Sequence, residues 1–88
     1  MPWKIVLTET VEKQIDALDP VVRRRVLSFL RERLEKLPDP RLIGEPLTGP
    51  RKGHWRYRVG DYRLICKVIH GELIVLVLEI GHRREVYK

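Results

Sequence analysis

The stretch that decides the fold is HWRYRVGDYRLICKVI, residues 54 to 69. Two runs rich in aromatic and β-branched residues flank Gly60-Asp61, and a two-residue loop containing glycine is typical of a β-hairpin. In such a hairpin Arg58 faces Arg63, and alternate side chains point to opposite faces. One face is predicted to pack against helices: Trp55, Tyr57, Val59, Tyr62, Leu64 and Cys66. The other is basic: His54, Arg56, Arg58 and Arg63.

The basic face of this hairpin predicts an anionic ligand. Like charges placed directly opposite each other on neighbouring strands oppose folding, so the apolar core gives no reason for Arg58 and Arg63 to be paired. An anion bound between the two guanidinium groups would relieve the repulsion. The alternative is that these flexible side chains extend into solvent and bind nothing.

The rest of the chain predicts a β-α-α-β-β-β order. WKIVL at 3–7 reads as an outer strand, and Thr8 caps a short amphipathic helix that ends near Asp19. Asp19 is expected to cap a second helix from Pro20 to Leu37. A connection rich in proline and glycine follows, from Pro38 to Gly53. Three strands are then expected at 54–59, 62–69 and 73–80, joined by the two-residue loops Gly60-Asp61 and His70-Gly71. The predicted fold is α+β, a single domain over residues 1–88 with two helices packed on one face of a small, mostly antiparallel sheet.

Composition narrows the class of protein. The chain has 88 residues and a net charge of +6. Residues 51–88 hold nine Lys and Arg against four Asp and Glu, whereas residues 1–50 hold nine against eight. A basic half favours a polyanionic partner. No membrane span or signal peptide is apparent, so a cytoplasmic location is expected. Common motifs for metals, nucleotides and cofactors are absent, and Cys66 is expected to be buried, so neither cofactor nor metal is predicted.

A second basic cluster follows the last predicted strand, in EIGHRREVYK. Gly81 allows the chain to turn away from the strand, which makes the residues after it available near the edge of the sheet. These are His82, Arg83, Arg84 and Tyr87. Guanidinium groups bind phosphate through two parallel hydrogen bonds, and an aromatic ring can stack on a base. The two clusters together favour a nucleic-acid ligand.

The order of elements, the WRYRVGDYRLICKV hairpin and the closing IGHRREVY resemble the RelE-like branch of the RelE/ParE toxin superfamily of type II toxin–antitoxin systems. The resemblance implies a ribosome-dependent endoribonuclease, an mRNA interferase. Such an enzyme cuts mRNA in the ribosomal A site by 2′-OH attack on the adjacent phosphate, and it thereby inhibits translation. The residues that correspond to the family's catalytic set are Arg56, Arg58, Arg63, Arg83 and Tyr87. Two family lysines are arginines here, at positions 56 and 58. Arginine stays protonated, so these two residues are expected to clamp phosphate rather than transfer protons.

Proton transfer is left open between three groups. Tyr87 is the family's leading base, although an unperturbed phenol titrates near a pH of about 10. His82 is a second candidate, since histidine is the side chain best suited to proton transfer near neutral pH. Glu45 resembles a carboxylate that a related ribonuclease branch uses as base. Further contacts to RNA are expected from Lys52, His54, Arg84 and Lys88.

Two other functions remain open at this stage. A ParE-like branch shares the fold and poisons DNA gyrase, and a non-catalytic nucleic-acid-binding or corepressor module would need only the basic face. The resemblance also implies a cognate antitoxin in a heteromeric complex, with 2:2 stoichiometry expected, besides the ribosome and mRNA. An antitoxin would cover apolar side chains that the later strands are predicted to present on the arginine side. These are Ile65, Ile69, Ile74, Leu76, Leu78 and Ile80.

Overall fold

The computed structural model describes residues 3 to 82, and its elements follow the predicted order with one addition. The five strands are β1 (Lys4–Leu7), β2 (Glu45–Pro46), β3 (His54–Val59), β4 (Tyr62–Ile69) and β5 (Ile74–His82). The helices are α1 (Glu9–Asp16) and α2 (Pro20–Ser28), and α2 continues as a π-helical segment, Phe29–Leu34. Short 3₁₀ turns occupy Pro40–Leu42, Gly49–Arg51 and His70–Glu72. None of the helices in the described residues is long and apolar enough to cross a membrane.

The strands form one sheet in the order β1-β5-β4-β3-β2. Strands β2 to β5 pair in an antiparallel manner, and β1 pairs in parallel with β5. The sheet is therefore mostly antiparallel, as predicted, and β1 lies at one edge. The predicted hairpin register is confirmed, because Arg58 pairs with Arg63. Gly60 has a φ of 58° at the first turn position, where a type II′ turn requires glycine.

The two helices pack on one face of the sheet and enclose the core. Thr8 caps α1 as predicted, because its hydroxyl accepts a hydrogen bond from the Val11 amide. Asp19 stands at the N-cap of α2, but its side chain makes no capping hydrogen bond there. That part of the prediction is wrong, and Pro20 alone marks the start of the helix. The fully buried core side chains include Val11, Val26, Leu30, Leu34, Tyr57, Leu64, Cys66, Val75 and Val77.

The end of the second helix differs from the predicted α-helix to Leu37. The α-helical part ends at Ser28, and the next six residues are π-helical, with the Glu35 amide bonded to the Leu30 carbonyl at 3.0 Å. The wider turn keeps Leu30 and Leu34 on the buried side. Both leucines therefore belong to the hydrophobic core, although the helix that carries them is not α-helical at this point.

The segment from Pro38 to Gly53, predicted to be a plain connection, is anchored and contributes a strand. The buried Tyr57 hydroxyl donates to the Pro40 carbonyl at 2.8 Å, and the Trp3 indole donates to the Pro38 carbonyl at 3.0 Å. Gly44 lies so close to the Tyr57 and Trp55 rings that a Cβ there would approach them to 2.9 Å and 3.0 Å. These contacts bring β2 alongside β3, so the connection becomes the fifth strand of the sheet.

Two predictions about β5 are wrong. His70-Gly71 is not a two-residue loop, because residues 70–73 link the strands and Leu73 takes a positive φ of 53°. The ladder also contains a β-bulge, since Ile65 pairs with Glu79 but Cys66 pairs with Val77. Leu78 is the extra residue, and it reverses the alternation beyond it. Ile80 therefore lies in the helix-side core instead of on the arginine side.

Candidate functional site: the arginine face

The arginine face is the sheet surface opposite the helices, defined by Arg56, Arg58 and Arg63. Side chains alternate between the two faces along β3 and β4, so these arginines lie on the face that does not carry the buried Tyr57 and Leu64. Their exposure differs, since the Arg58 side chain is 60% exposed, that of Arg56 is 17% exposed, and Arg63 as a residue is 6% exposed. The predicted cluster is real, and it runs from a buried arginine to one that reaches into solvent.

Glu45 joins this cluster, which the sequence could not establish. It pairs with Arg56 across β2 and β3. One carboxylate oxygen accepts a hydrogen bond from Arg56 Nη2 at 3.0 Å, and the other lies 4.0 Å from Arg58 Nη2. A single carboxylate thus contacts two guanidinium groups and offsets part of the repulsion expected among the arginines.

The arginines make Glu45 a weaker base. The hydrogen bond and the charge of Arg56 hold the pKa of Glu45 below its usual range, and the charges of Arg58 and Arg63 lower it further. A carboxylate with a lowered pKa remains ionised but binds a proton less readily. Glu45 is therefore positioned at the arginine face, but its surroundings oppose a role in accepting protons.

A second ion pair flanks the cluster and was missed from the sequence. Arg51, at the end of a 3₁₀ turn, binds Glu79 of β5 with an N–O distance of 2.9 Å. The His54 Nδ1–H donates to the Arg51 carbonyl at 3.3 Å, so the turn is held near the start of β3. Glu79 belongs to the arginine face because it pairs with Ile65. Only the strand register reveals this pair, since 28 residues separate its members.

The remaining predicted residues fall into three groups. Lys52 is exposed just after the 3₁₀ turn that carries Arg51, and His54 lies half-buried on the arginine face. His82 lies on the opposite face, where its ring meets Tyr62 edge-on at 5.7 Å. The last group lies outside the described residues: Arg83, Arg84, Tyr87 and Lys88. The structure thus brings Glu45 to the arginines and places His82 away from them.

Two other side chains with potential chemistry are buried in the core. Burial raises the pKa of the Cys66 thiol and that of the Tyr57 phenol. A thiol that stays protonated is a poor nucleophile. Among residues 3 to 82 there is also no cluster of three or more His, Cys, Asp or Glu that could hold a metal ion. The chemistry of the described site therefore rests on guanidinium and carboxylate groups.

The half of this sheet surface next to the arginine face is apolar. Ile69 pairs with Ile74, and Leu76 pairs with both Lys67 and Val6. These isoleucine and leucine side chains are half-buried, while the neighbouring Lys67 is exposed. Ile65, between the two halves, is 3% exposed. The sheet surface thus combines a basic half and an apolar half without an α-helix over either in the described residues.

Comparisons with known proteins agree with this architecture and identify the family. The solved structure of the toxin–antitoxin complex RelBE2 from Mycobacterium tuberculosis contains a chain with a TM-score of 0.85 and 26% identity, over 94% of this chain and 93% of that one. A chain of the archaeal RelE–RelB complex from Pyrococcus horikoshii has a TM-score of 0.73 and 31% identity, over 94% of this chain and 97% of that one. The fold is thus the RelE-like α+β fold.

Sequence comparisons extend this result to the family. Toxin RelG from Mycobacterium tuberculosis is 27% identical over 88 residues, which cover all of this chain and 99% of the relative. Residues 5–87 match the family model described as ParE toxin of type II toxin–antitoxin system, parDE. The chain belongs to this family, within the RelE/ParE superfamily.

Proposed function

We propose that the protein is a ribosome-dependent mRNA endoribonuclease, the toxin of a type II toxin–antitoxin pair. The observation that carries the proposal is the clustering of Arg56, Arg58 and Arg63 on one sheet face that no α-helix covers in the described residues. Relatives named Toxin RelG and Toxin RelE match nearly the whole chain. The target is therefore proposed to be mRNA in the ribosomal A site, which would place the action of the protein in the cytoplasm.

The arginines suit the electrostatic part of RNA cleavage. When the 2′-hydroxyl attacks the adjacent phosphorus, negative charge builds up on the phosphate oxygens, and fixed donors stabilise it. Arg63 is held nearly buried, where its charge is screened less than that of a surface arginine. Arg58 reaches into solvent and can contact the RNA backbone first. Arg83 is proposed to complete the set after the last strand.

Proton transfer is proposed to fall to Tyr87. His82 is directed to the helix side of the sheet, and the arginines lower the pKa of Glu45. Guanidinium groups remain protonated near neutral pH, so the arginines are excluded as bases. A tyrosine close to several guanidinium groups would have its phenolate form favoured. Lys52, His54, Arg84 and Lys88 are proposed to bind the flanking RNA.

A second candidate function is that of a DNA gyrase poison, and the match to a family model described as ParE toxin favours it. The two functions need different parts of the molecule. Cleavage needs the arginine face, whereas a poison that acts by binding gyrase has no need of a charged catalytic set. The arginine face therefore favours the nuclease.

An antitoxin is proposed to cover the sheet surface. The M. tuberculosis and P. horikoshii relatives were solved as toxin–antitoxin complexes. In this chain the half-buried Ile69, Ile74 and Leu76 lie beside the arginine face, which suits a partner that is partly apolar and partly acidic. We expect a 2:2 complex. Light scattering on the co-purified pair measures its mass, and a stable monomer that remains non-toxic would contradict this expectation.

The nuclease is tested by incubating the purified protein with an mRNA, with and without translating ribosomes, and mapping cut sites by primer extension. Cleavage only with ribosomes is the expected result. Arg63→Ala should abolish most of it, while Arg24→Ala, an exposed arginine on α2, serves as the matched loss of charge. Intact mRNA together with inhibited DNA gyrase would select the second function.

A further inference from the structure

Glu45 is the one acidic side chain in the described residues that contacts two arginines of the arginine face. It is not required to hold the fold together through burial, because its side chain is 52% exposed. Its backbone belongs to β2, the edge strand next to Arg56. The position of Glu45 beside two arginines on a basic surface therefore points to a role in binding at this surface.

The contacts of Glu45 are of the kind that a phosphate could make with the same two arginines. Its two oxygens face two different guanidinium groups, at 3.0 Å from Arg56 and 4.0 Å from Arg58. Two oxygens of a phosphodiester, like those of a carboxylate, can accept from two guanidinium groups in the same way. The two anions would therefore compete for the same donors.

We propose that Glu45 is an internal phosphate mimic, which occupies the place of an RNA phosphate on Arg56 and Arg58 and must be displaced before RNA binds there. This inference rests on the proposed function for the identity of the ligand as RNA. The carboxylate neutralises the arginines while no RNA is bound and sets how tightly RNA binds. It is not itself a phosphate ligand, because carboxylate and phosphate repel each other.

Exposure shows how the exchange can take place. The Arg56 side chain is mostly covered, whereas the side chains of Glu45 and Arg58 are more than half exposed. An incoming phosphate can approach through Arg58 from solvent, and the Glu45 side chain can rotate into water. An exposed ion pair contributes little to stability, so its exchange for a phosphate is readily reversible.

The chain supplies a matched control. Glu79 lies on the same sheet surface and is 39% exposed, but its partner is Arg51, at an N–O distance of 2.9 Å. Replacing either glutamate by glutamine removes one negative charge from this surface while keeping the shape of the side chain. Glu45→Gln removes the charge that contacts Arg56 and Arg58, whereas Glu79→Gln removes the charge that contacts Arg51.

The test measures the affinity of wild type, Glu45→Gln and Glu79→Gln for a short RNA with 2′-O-methyl groups, which cannot be cleaved, by fluorescence anisotropy at several salt concentrations. Glu45→Gln should bind about threefold to tenfold more tightly than wild type at the lowest salt concentration, because no carboxylate has to leave Arg56 and Arg58 before a phosphate binds. Glu79→Gln should change the affinity less than about twofold, since its charge acts only through screened solvent. Equal effects of the two variants, or unchanged or weaker binding by Glu45→Gln, would overturn the proposal.

A second arm separates this proposal from the proposed function. Titration with inorganic phosphate, followed by the side-chain Nε–H signals of Arg56 and Arg58 in NMR spectra, needs no nuclease activity. Tighter phosphate binding by Glu45→Gln supports the phosphate mimic even if no mRNA is cut in the ribosome assay, in which case only the nuclease fails. If the same phosphate concentrations shift these signals equally in wild type and Glu45→Gln, the proposal that Glu45 mimics a phosphate is wrong, whether or not mRNA is cut.

Discussion

Replacing Tyr57 by phenylalanine is the most direct test of how the fold holds Glu45 at the arginine face. Tyr57 is 1% exposed, and its hydroxyl donates to the Pro40 carbonyl at 2.8 Å. The variant keeps the ring but leaves this buried carbonyl without its donor, which costs about 1–3 kcal/mol. For a chain of this size each kcal/mol lowers the melting temperature by about 4–8 °C.

The assay is urea denaturation followed by fluorescence of Trp3 and Trp55, with Tyr62→Phe as the control. Tyr62 is half-buried on the same face of the hairpin, and its hydroxyl makes no hydrogen bond within residues 3 to 82. The control should therefore change the free energy of unfolding by less than about 0.5 kcal/mol. Equal effects of the two substitutions would refute the reasoning that the Pro40 bond anchors the segment before β2.

Three other side chains give testable predictions: Arg63, Cys66 and Asp39. Arg63→Ala should lower ribosome-dependent cleavage by about 100-fold or more, the scale for loss of one preorganised donor, and Arg24→Ala should leave the primer-extension pattern unchanged. Cys66 should resist alkylation in the folded protein, because burial raises the pKa of its thiol, and mass spectrometry should show complete alkylation once urea has unfolded the chain. Arg41 lowers the pKa of Asp39 from 3.8 to about 2, so the stabilisation from this pair is complete above the unfolded value and is lost as the pH falls towards 2. An NMR titration in which the Asp39 carboxyl titrates at its unperturbed value would contradict the contact.

Much of the fold could be predicted because local patterns and burial agree in the second half of the chain. Gly60-Asp61 fixes the register of β3 and β4, and that register determines which side Arg58 and Arg63 share. The prediction of a two-residue loop between β4 and β5 was wrong. His70-Gly71 resembles the Gly60-Asp61 loop in sequence, but the structure joins these strands by a 3₁₀ turn followed by Leu73 in the left-handed region. No residue type signals that choice, and the Leu73 carbonyl accepts a hydrogen bond at 2.9 Å from the amide of Lys4, a residue distant in sequence.

The position of a site residue could be predicted only where the alternation of side chains along a single strand determines its face. Arg56 and Arg58 could be assigned to one face from β3 alone, but Glu45 reaches them through β2, a two-residue strand containing a proline. Proline is a poor strand former, so nothing local predicts this strand. Its place depends on the distant bond between Tyr57 and Pro40.

His82 was expected near the arginines because Gly81 was predicted to turn the chain out of the strand, but β5 continues through His82 and its bulge directs that ring to the helix side. The bulge at Leu78 is stabilised from another element, since the Gln14 side chain accepts a hydrogen bond from the Ile80 amide at 3.2 Å. A glutamine on α1 thus fixes an irregularity that the strand sequence does not reveal. A bulge that depends on such a contact cannot be predicted from the residues of β5.

The bulge also restricts how β5 can change in length during evolution. In the present sequence Gly81 faces Arg63 across the ladder, and Ile80 and His82 point to the helices, because Leu78 is left out of the pairing. Deleting Leu78 alone would leave Val77 and Glu79 as consecutive partners of Cys66 and Ile65 and would keep both sets on their faces, whereas deleting a second residue beside it would exchange them and place an isoleucine on the charged surface. Relatives of this chain should therefore tolerate a β5 that is one residue shorter at Leu78, because the loss of the bulge residue leaves the pairing on both sides of it unchanged.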